Sequence, residues 1–158
     1  MKSKPLEISI VGAGIGGLVA ALALKKRGHM PTIYEKTESL SELGAGIQLS
    51  PNANKVLEYL GVMEELQADV YEPEAFQFVH YRTGTVLAQQ ALKNSSVKIY
   101  GSPNYDVHRA DLQKALLKII NKEEIQIEKN SEIIDLYEEA NGAFIKTRER
   151  VIESDAVI

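Results

Sequence analysis

The sequence contains no cysteine, which excludes disulfide bonds and thiol catalysis. Its three histidines are scattered and lack the spacing of metal ligands, so we predict no metal site. The 18 Lys and Arg residues against 22 Asp and Glu residues give a net charge of -4, without a basic cluster long enough to follow a phosphate backbone. Nucleic acid is therefore not expected as a partner, and any chemistry is expected to come from elsewhere, such as a bound cofactor.

A long uninterrupted apolar run is also absent. The apolar segment after Leu6 is broken by several glycines and ends in the basic residues 25–27. This pattern fits neither a signal segment nor a membrane span, so we expect a cytoplasmic protein. The length of 158 residues and the hydrophobic content of 44% are enough for one ordinary domain with a core.

The amino-terminal segment predicts a strand, a helix and a second strand. Glu7–Val11 is rich in β-branched residues and reads as a short buried strand. Apolar residues then recur at helical spacing from Ile15, and the helix should end near Arg27, where Gly28 can supply a left-handed cap. Thr32–Glu35 reads as the second strand. A unit of this size favours parallel pairing and a right-handed crossover.

The rest of the chain alternates between helical and strand-like patterns. We predict a loop from Thr37 to Gly46, a helix from Pro51 to Gly61, strands over 75–82, 86–90 and 97–100, a helix from Arg109, a strand over 125–127, a meander over 133–152 with a tight turn at Asn141-Gly142, and a last strand over 155–158. The predicted fold class is α/β, with a Rossmann-like parallel sheet, a β-meander and part of a second β-sheet.

Glycines at positions 12, 14 and 17 form a Gly-x-Gly-x-x-Gly pattern between the first strand and its helix. Gly12 would allow the tight turn, Gly14 would let a pyrophosphate approach the backbone, and Gly17 would let the helix pack closely on the strand. The phosphates would then lie at the positive end of the helix. The alternative interpretation is a glycine-rich turn without a ligand.

Glu35 closes the second strand about 20 residues after these glycines, where a carboxylate accepts the hydrogen bonds of a ribose diol. A carboxylate at this position would repel a 2′-phosphate. The alternative is a solvated glutamate at the end of a strand. At this point NAD and FAD are both compatible with the pattern.

Four segments resemble, in order along the chain, the motifs of FAD-dependent aromatic hydroxylases such as salicylate hydroxylase and p-hydroxybenzoate hydroxylase. They are Val11–Leu18, Tyr34–Lys36, Leu43–Ala53 and Val107–Leu112. The resemblance spans essentially the whole chain, and four ordered motifs are more specific than the glycine pattern alone. It implies that FAD is the cofactor.

The resemblance also implies further cofactor-binding residues. Gly44, Ala45, Gly46 and Ile47 would line the flavin, since glycines permit close approach of the backbone to a flat ring. Arg109 would reach the bound FAD near its pyrophosphate and ribityl chain, where a guanidinium can bind phosphate through two hydrogen bonds. Lys36 would lie near the adenosine, with a solvated lysine as the alternative. We identify no catalytic residue.

The activity implied by the resemblance is hydroxylation of a small aromatic substrate, with NADH or NADPH reducing FAD and O2 supplying one oxygen atom. We expect residues 1–72 and 102–158 to form an incomplete FAD-binding domain and residues 73–101 to be inserted strands of a substrate domain. Complete members of the family continue into a Gly-Asp-Gly-type segment after a strand such as 155–158. We therefore expect a truncated amino-terminal half that is inactive or weakly active alone.

Other functions are also compatible with these patterns. One is a dinucleotide-binding module without turnover, and another is one chain of a split enzyme whose partner carries the missing half. An ordinary NAD-dependent dehydrogenase is disfavoured by the glycines at 44 and 46. Unpaired strand edges also make a homodimer a partner to consider.

Overall fold

The predicted strand, helix and strand open the fold of the protein, in a computed structural model that describes residues 4–40, 45–140 and 142–158. β1 (Glu7–Val11) and β2 (Met30–Tyr34) pair in parallel around α1 (Ile15–Lys26). The helix ends where Gly28 adopts a φ of +90°, a left-handed value that glycine reaches without strain. These local predictions are confirmed.

The chain divides into two compact units, Met1–Glu42 with Gln113–Ile158, and Leu43–Leu112. The remaining elements of the first unit are the second part of α5 (Arg109–Lys122), followed by β8 (Gln126–Glu128), β9 (Asp135–Glu139), β10 (Gly142–Lys146), β11 (Val151–Ser154) and β12 (Ala156–Val157). Its parallel sheet has the order β12-β1-β2-β8, and β9, β10 and β11 form an antiparallel meander. The predicted parallel sheet with a β-meander is thus confirmed.

The core of the first unit consists of apolar side chains from the sheet, the helices and the meander. The fully buried ones include Ile10, Leu18, Ile33, Leu116, Ile120 and Ile145. Burial of one such side chain contributes about 1.5–3 kcal/mol. This core fixes the carboxyl ends of β1 and β2, where the glycine turn and Glu35 follow.

The second unit combines a small sheet with short helices and a hairpin. Its elements are β3 (Gly46–Leu49), α2 (Pro51–Tyr59), α3 (Met63–Leu66), β4 (Val70–Tyr71), β5 (Ala75–Val79), β6 (Val86–Ala91), α4 (Ser95–Tyr100) and β7 (Tyr105–His108), followed by the start of α5. The strands β3, β7 and β4 form an antiparallel sheet, and β5 pairs with β6. The predicted insertion over 73–101 lies inside this unit, which has wider bounds.

The structure corrects the predicted strand over 97–100, which belongs to helix α4. The β-branched Val97 and Ile99 favoured a strand in the sequence, but the backbone instead makes helical hydrogen bonds, from Lys98 N to Asn94 O and from Gly101 N to Val97 O. Gly101 has a φ of +70° and ends the helix. Among the described residues, β5 and β6 pair with each other as a two-stranded sheet, and residues 97–100 are not part of it.

Two turn predictions also need correction. The loop predicted from Thr37 to Gly46 ends before Gly46, because Gly46 is the first residue of β3 and lies opposite His108. Gly142 lies in the ladder of the meander, opposite Glu139, and a Cβ there would be 3.0 Å from the carbonyl oxygen of Ser154. Close packing therefore explains this glycine, whereas Asn141 lies outside the described residues.

Candidate functional site

The turn between β1 and α1 requires glycine at two positions because of the backbone angle at one and a close contact at the other. Gly12 has a φ of +101°, and its N–H donates to the carbonyl oxygen of Tyr34 at 2.8 Å, which ties the turn to the end of β2. A Cβ on Gly17 would be 2.0 Å from the carbonyl oxygen of Gly12. The first turn of α1 therefore lies against the strand end, as the glycine pattern predicts.

Gly14 lies at the N-cap of α1, and among the described residues neither its backbone angles nor a close contact requires glycine there. Its φ of -68° and ψ of 174° are open to any residue, and a Cβ there would meet nothing within 4 Å. The first turn of the helix contains no acidic residue and receives no hydrogen bond from a capping side chain. Helix N–H groups at this end lack intrahelical acceptors and carry the positive end of the dipole, so the residues present fit a pyrophosphate.

Glu35 follows β2 and reaches back to the same turn. Its Oε2 accepts the N–H of Ala13 at 2.8 Å, and its Oε1 accepts the N–H of Thr37 at 2.9 Å. The hydroxyl of Thr37 is 3.0 Å from Oε1. Sequence reasoning placed Glu35 near the glycine turn but missed Ala13 and Thr37, because nothing in the sequence spacing reports a bond to a backbone N–H.

Opposing effects act on the pKa of Glu35. Burial alone would raise it, but hydrogen bonds from Ala13, Thr37 and Lys36 outweigh burial and lower the pKa of the carboxyl below its usual range. The side chain therefore stays anionic at neutral pH. Burial raises the pKa of the preceding Tyr34, and the carboxylate of Glu128 raises it further.

A cleft with charges of both signs adjoins Glu35 through the segment after β8. The N–H of Glu35 donates to the carbonyl oxygen of Glu128 at 2.8 Å, and the N–H of Ser131 donates to the carbonyl oxygen of Glu35 at 2.8 Å. The exposed Lys36 lines this cleft, together with residues 128–132 and 147–150. Ion pairs join Arg150 to Glu128 and Arg148 to Glu132 along its walls. The sequence analysis named Lys36 as a residue near the adenosine, but it predicted neither this cleft nor its other wall residues.

In the second unit, the predicted flavin-lining segment pairs with the strand that leads to Arg109. Gly46 lies opposite His108 and Ile47 opposite Val107, and the N–H of Arg109 donates to the carbonyl oxygen of Ala45 at 3.0 Å. Ala45 and Gly46 are exposed, and a Cβ on Gly46 would meet nothing within 4 Å. Two motifs far apart in the sequence are thus adjacent, whereas Gly44 lies outside the described residues.

The predicted residues thus form two groups. Gly12, Gly14, Gly17, Glu35 and Lys36 lie at the carboxyl ends of β1 and β2, in the first unit. Ala45, Gly46, Ile47 and Arg109 lie on neighbouring strands and the helix start of the second unit. In the part of the chain that the structure describes, no helix is long and apolar enough to span a membrane.

Similarity to known proteins extends over most of the chain. Residues 6–154 match the family described as FAD binding domain. The 6-hydroxynicotinate 3-monooxygenase of Pseudomonas fluorescens is 38% identical over 118 residues, which cover 75% of this chain and 31% of the relative. The 3-hydroxybenzoate 6-hydroxylase 1 of Aquipseudomonas alcaligenes is 36% identical over 130 residues, which cover 82% of this chain and 33% of the relative.

A solved structure extends the similarity to the fold. The tetrameric form of 2-methyl-3-hydroxypyridine-5-carboxylic acid oxygenase superposes with a TM-score of 0.82 and 26% sequence identity. The match covers 98% of this chain and 39% of that chain. The chain therefore spans about a third of the length of these curated relatives, 31% and 33%.

Proposed function

Because this chain belongs to the FAD binding domain family, we propose that it is the FAD-binding part of a flavin-dependent monooxygenase that hydroxylates a small aromatic substrate. The observation that carries the proposal is the junction of the glycine turn, the start of α1 and the carboxylate of Glu35. The two relatives named above are a 6-hydroxynicotinate monooxygenase and a 3-hydroxybenzoate hydroxylase, which supports a small aromatic acid as the substrate class.

Bound FAD would supply the redox and oxygen chemistry, while the protein binds and orients the cofactor. In this proposal Gly14 and the first turn of α1 bind the pyrophosphate, because the backbone there is open and electropositive. Gly12 and Gly17 hold the turn in shape, and Glu35 accepts the ribose hydroxyls.

The adenosine end of FAD is proposed to extend along the charged cleft beside Lys36. Support comes from the backbone hydrogen bonds of Glu35 to Glu128 and Ser131, which join this wall of the cleft to the residue proposed to bind the ribose. Lys36 is exposed at this wall, as a contact to the adenosine requires.

Ala45, Gly46 and Ile47 are proposed to line the flavin ring, together with Gly44, and Arg109 to contact the cofactor near its pyrophosphate. The exposed and open backbone at Gly46 leaves room for a flat ring. The hydrogen bond from Arg109 N to Ala45 O holds the start of α5 next to this segment. A shift of the segment at Ala45 would therefore also move the start of α5.

The complete reaction is proposed to use NADH or NADPH and O2. It is proposed for the whole protein, not for the part that this chain spans. The proposed division into FAD-binding residues 1–72 and 102–158 and substrate-domain strands over 73–101 accounts for the exposed β5–β6 hairpin. Reduction by a nicotinamide cosubstrate favours a cytoplasmic location. A homodimer is a further proposal, supported by the apolar side chains exposed on this hairpin.

The first test is the visible flavin spectrum of the purified protein after incubation with FAD and removal of free cofactor. We expect bound flavin in the parent protein and loss of binding in Gly14→Val, with unchanged far-UV circular dichroism. NAD(P)H oxidation stimulated by an aromatic acid, measured on the whole protein, would distinguish a monooxygenase from a nucleotide-binding module without turnover. Retention of FAD by Gly14→Val at the parent affinity would contradict the proposed pyrophosphate site.

A further inference from the structure

The side-chain amide of Asn54 links the end of β3 to the segment that leads into β7. Asn54 lies on α2 and is only 3% exposed. Its Nδ2 donates to the carbonyl oxygen of Leu49 at 3.2 Å and to the carbonyl oxygen of Pro103 at 2.9 Å. Leu49 is the last residue of β3, and Pro103 comes shortly before β7 begins at Tyr105. The amide therefore bridges the two chain segments just beyond their last residue pair, Leu49 with Tyr105.

The ladder between β3 and β7 is short, so hydrogen bonds at its ends contribute to its register. It has four residue pairs, and β3 is an edge strand whose only neighbour among the described residues is β7. At one end of the ladder the N–H of Arg109 donates to the carbonyl oxygen of Ala45, and at the other end lies the Asn54 amide. These two links hold the register in which Gly46 lies opposite His108.

Packing alone does not explain an amide at this position. The Oδ1 of Asn54 is buried, and among the described residues it has no hydrogen-bond partner. An unpaired buried acceptor is destabilising, and a leucine, which has the same branched shape, would carry none. A cleft of about 300 Å³ beside Asn54 is also lined by Pro103 and Tyr105, so the segment before β7 is not closely packed on this side. The two hydrogen bonds from Nδ2 therefore account for the asparagine.

We propose that Asn54 is a positioning residue for the segment that lines the flavin. This inference rests on the proposed function, in which residues 45–47 contact the flavin ring. Without the amide, the carbonyl oxygens of Leu49 and Pro103 lose their common donor, and one end of the short ladder is released. The strand β3 then shifts against β7, and the flavin-lining residues at its other end move with it. Asn54 acts through the backbone of β3 and does not itself contact the cofactor.

Two substitutions at Asn54 and one matched control test this role. Asn54→Leu removes both hydrogen bonds, and the milder Asn54→Ser keeps at most one of them, which provides a second variant if the leucine variant does not fold. Asn104→Leu is the control, because it removes another amide of the same unit, one that donates to the buried hydroxyl of Ser96 on α4. Thermal unfolding followed by far-UV circular dichroism would show at which temperature each variant is folded.

Saturation with FAD separates a displaced segment from a loss of stability. A ligand that binds the folded state stabilises it, so excess FAD restores the parent structure in a variant that is only less stable. A shifted β3 instead persists in the saturated protein, where the visible circular dichroism of bound flavin reports the surroundings of the ring. We expect an altered flavin spectrum in Asn54→Leu, a smaller change in Asn54→Ser and the parent spectrum in Asn104→Leu.

The Kd values of FAD and ADP provide the second readout. ADP carries the adenosine and the pyrophosphate but no flavin, and the residues proposed to bind these groups lie in the first unit, whereas β3 lies in the second. Asn54→Leu should raise the Kd of FAD about tenfold or more and leave the Kd of ADP within about threefold of the parent. The parent flavin spectrum in saturated Asn54→Leu, or in Asn54→Ser where only that variant folds, would overturn the proposal. Equal weakening of FAD and ADP, or an equal spectral change in Asn104→Leu, would also overturn it. A parent protein that binds no FAD would refute the proposed function itself, and this inference with it.

Discussion

An alanine at Gly17 should destabilise the fold, whereas the same added methyl group at Gly14 should leave the fold intact and weaken FAD binding. The two glycines belong to one motif, but their surroundings differ. A Cβ at position 17 would be 2.0 Å from the carbonyl oxygen of Gly12 and 3.4 Å from Cγ2 of Ile10. A Cβ at position 14 would meet nothing within 4 Å.

The expected cost at Gly17 follows from the nature of the clash. Overpacking typically costs about 1–3 kcal/mol, and the upper part of this range applies because the obstacle is backbone that cannot change rotamer. Alanine recovers about 1 kcal/mol of helix propensity relative to glycine, which leaves a net loss of about 2 kcal/mol. For a protein of this size the loss corresponds to a Tm lower by about 4–8 °C.

At Gly14 the opposing effects nearly cancel. Alanine is a poorer N-cap than glycine by about 0.5–1 kcal/mol, but it restricts the unfolded chain by a similar amount. The Tm of Gly14→Ala should therefore stay within about 2 °C of the parent value. The methyl group would project into the space proposed for the pyrophosphate, so the Kd for FAD should rise about tenfold or more.

Thermal unfolding followed by circular dichroism, together with FAD titration of each variant, would measure both quantities. Each variant is the control for the other, because the added group and the motif are the same. A Gly17→Ala protein as stable as the parent would refute the close contact of α1 with the strand end. A Gly14→Ala protein that binds FAD like the parent would refute the assignment of the open backbone to the pyrophosphate.

Three further predictions concern Glu35 and the exposed hairpin. Fluorescence titration should show that NAD binds more tightly than NADP by about 1–4 kcal/mol, because Glu35 repels a 2′-phosphate. The Glu35→Gln variant should show a smaller preference for NAD. Equal binding of NAD and NADP to the parent protein would contradict the assignment of Glu35 to the ribose site. The folded state lowers the pKa of Glu35, so its stabilising effect should be fully present above about pH 4.3 and disappear as the pH falls through the folded-state pKa. The difference in Tm between the parent and Glu35→Gln, measured from neutral to acidic pH, should shrink on acidification, and a constant difference would contradict this assignment. On the hairpin, Phe78 is 60% exposed and Leu87 is 66% exposed, so the protein should self-associate through these apolar side chains. Light scattering over a dilution series should detect this association, and Phe78→Ser should weaken it. A parent protein that is a monodisperse monomer at all concentrations would contradict the prediction.

Local patterns in the sequence were sufficient to predict the first strand, helix and strand. The β-branched run, the helical spacing and the glycines act within a few residues of one another, so no distant partner is needed. The segment over 97–100 shows the limit of this approach. Val97 and Ile99 favour a strand by propensity, but a strand also needs a ladder partner, and the helical bonds that end at Gly101 determine its structure.

The pairing of β3 with β7 could not be predicted from local patterns either, because a strand depends on a ladder partner. Gly46 and His108 are distant in the sequence, and the ladder that joins them depends on tertiary packing rather than on either segment alone. The resemblance to aromatic hydroxylases named the residues on both sides of this ladder, but it did not indicate that Arg109 N donates to Ala45 O. Sequence motifs thus identified the candidate residues, and the strand register shows which of them are neighbours.

The bond between Glu35 and Ala13 also determines how the proposed site should be tested. Glu35 holds the glycine turn as well as facing the proposed ribose position, so its replacement would disturb the fold and the binding of FAD together. Gly14 has no internal contact that a methyl group would break, and its backbone angles suit alanine. A loss of FAD affinity at Gly14 therefore reports on the ligand directly, whereas a loss at Glu35 requires a stability measurement before it can be assigned to binding.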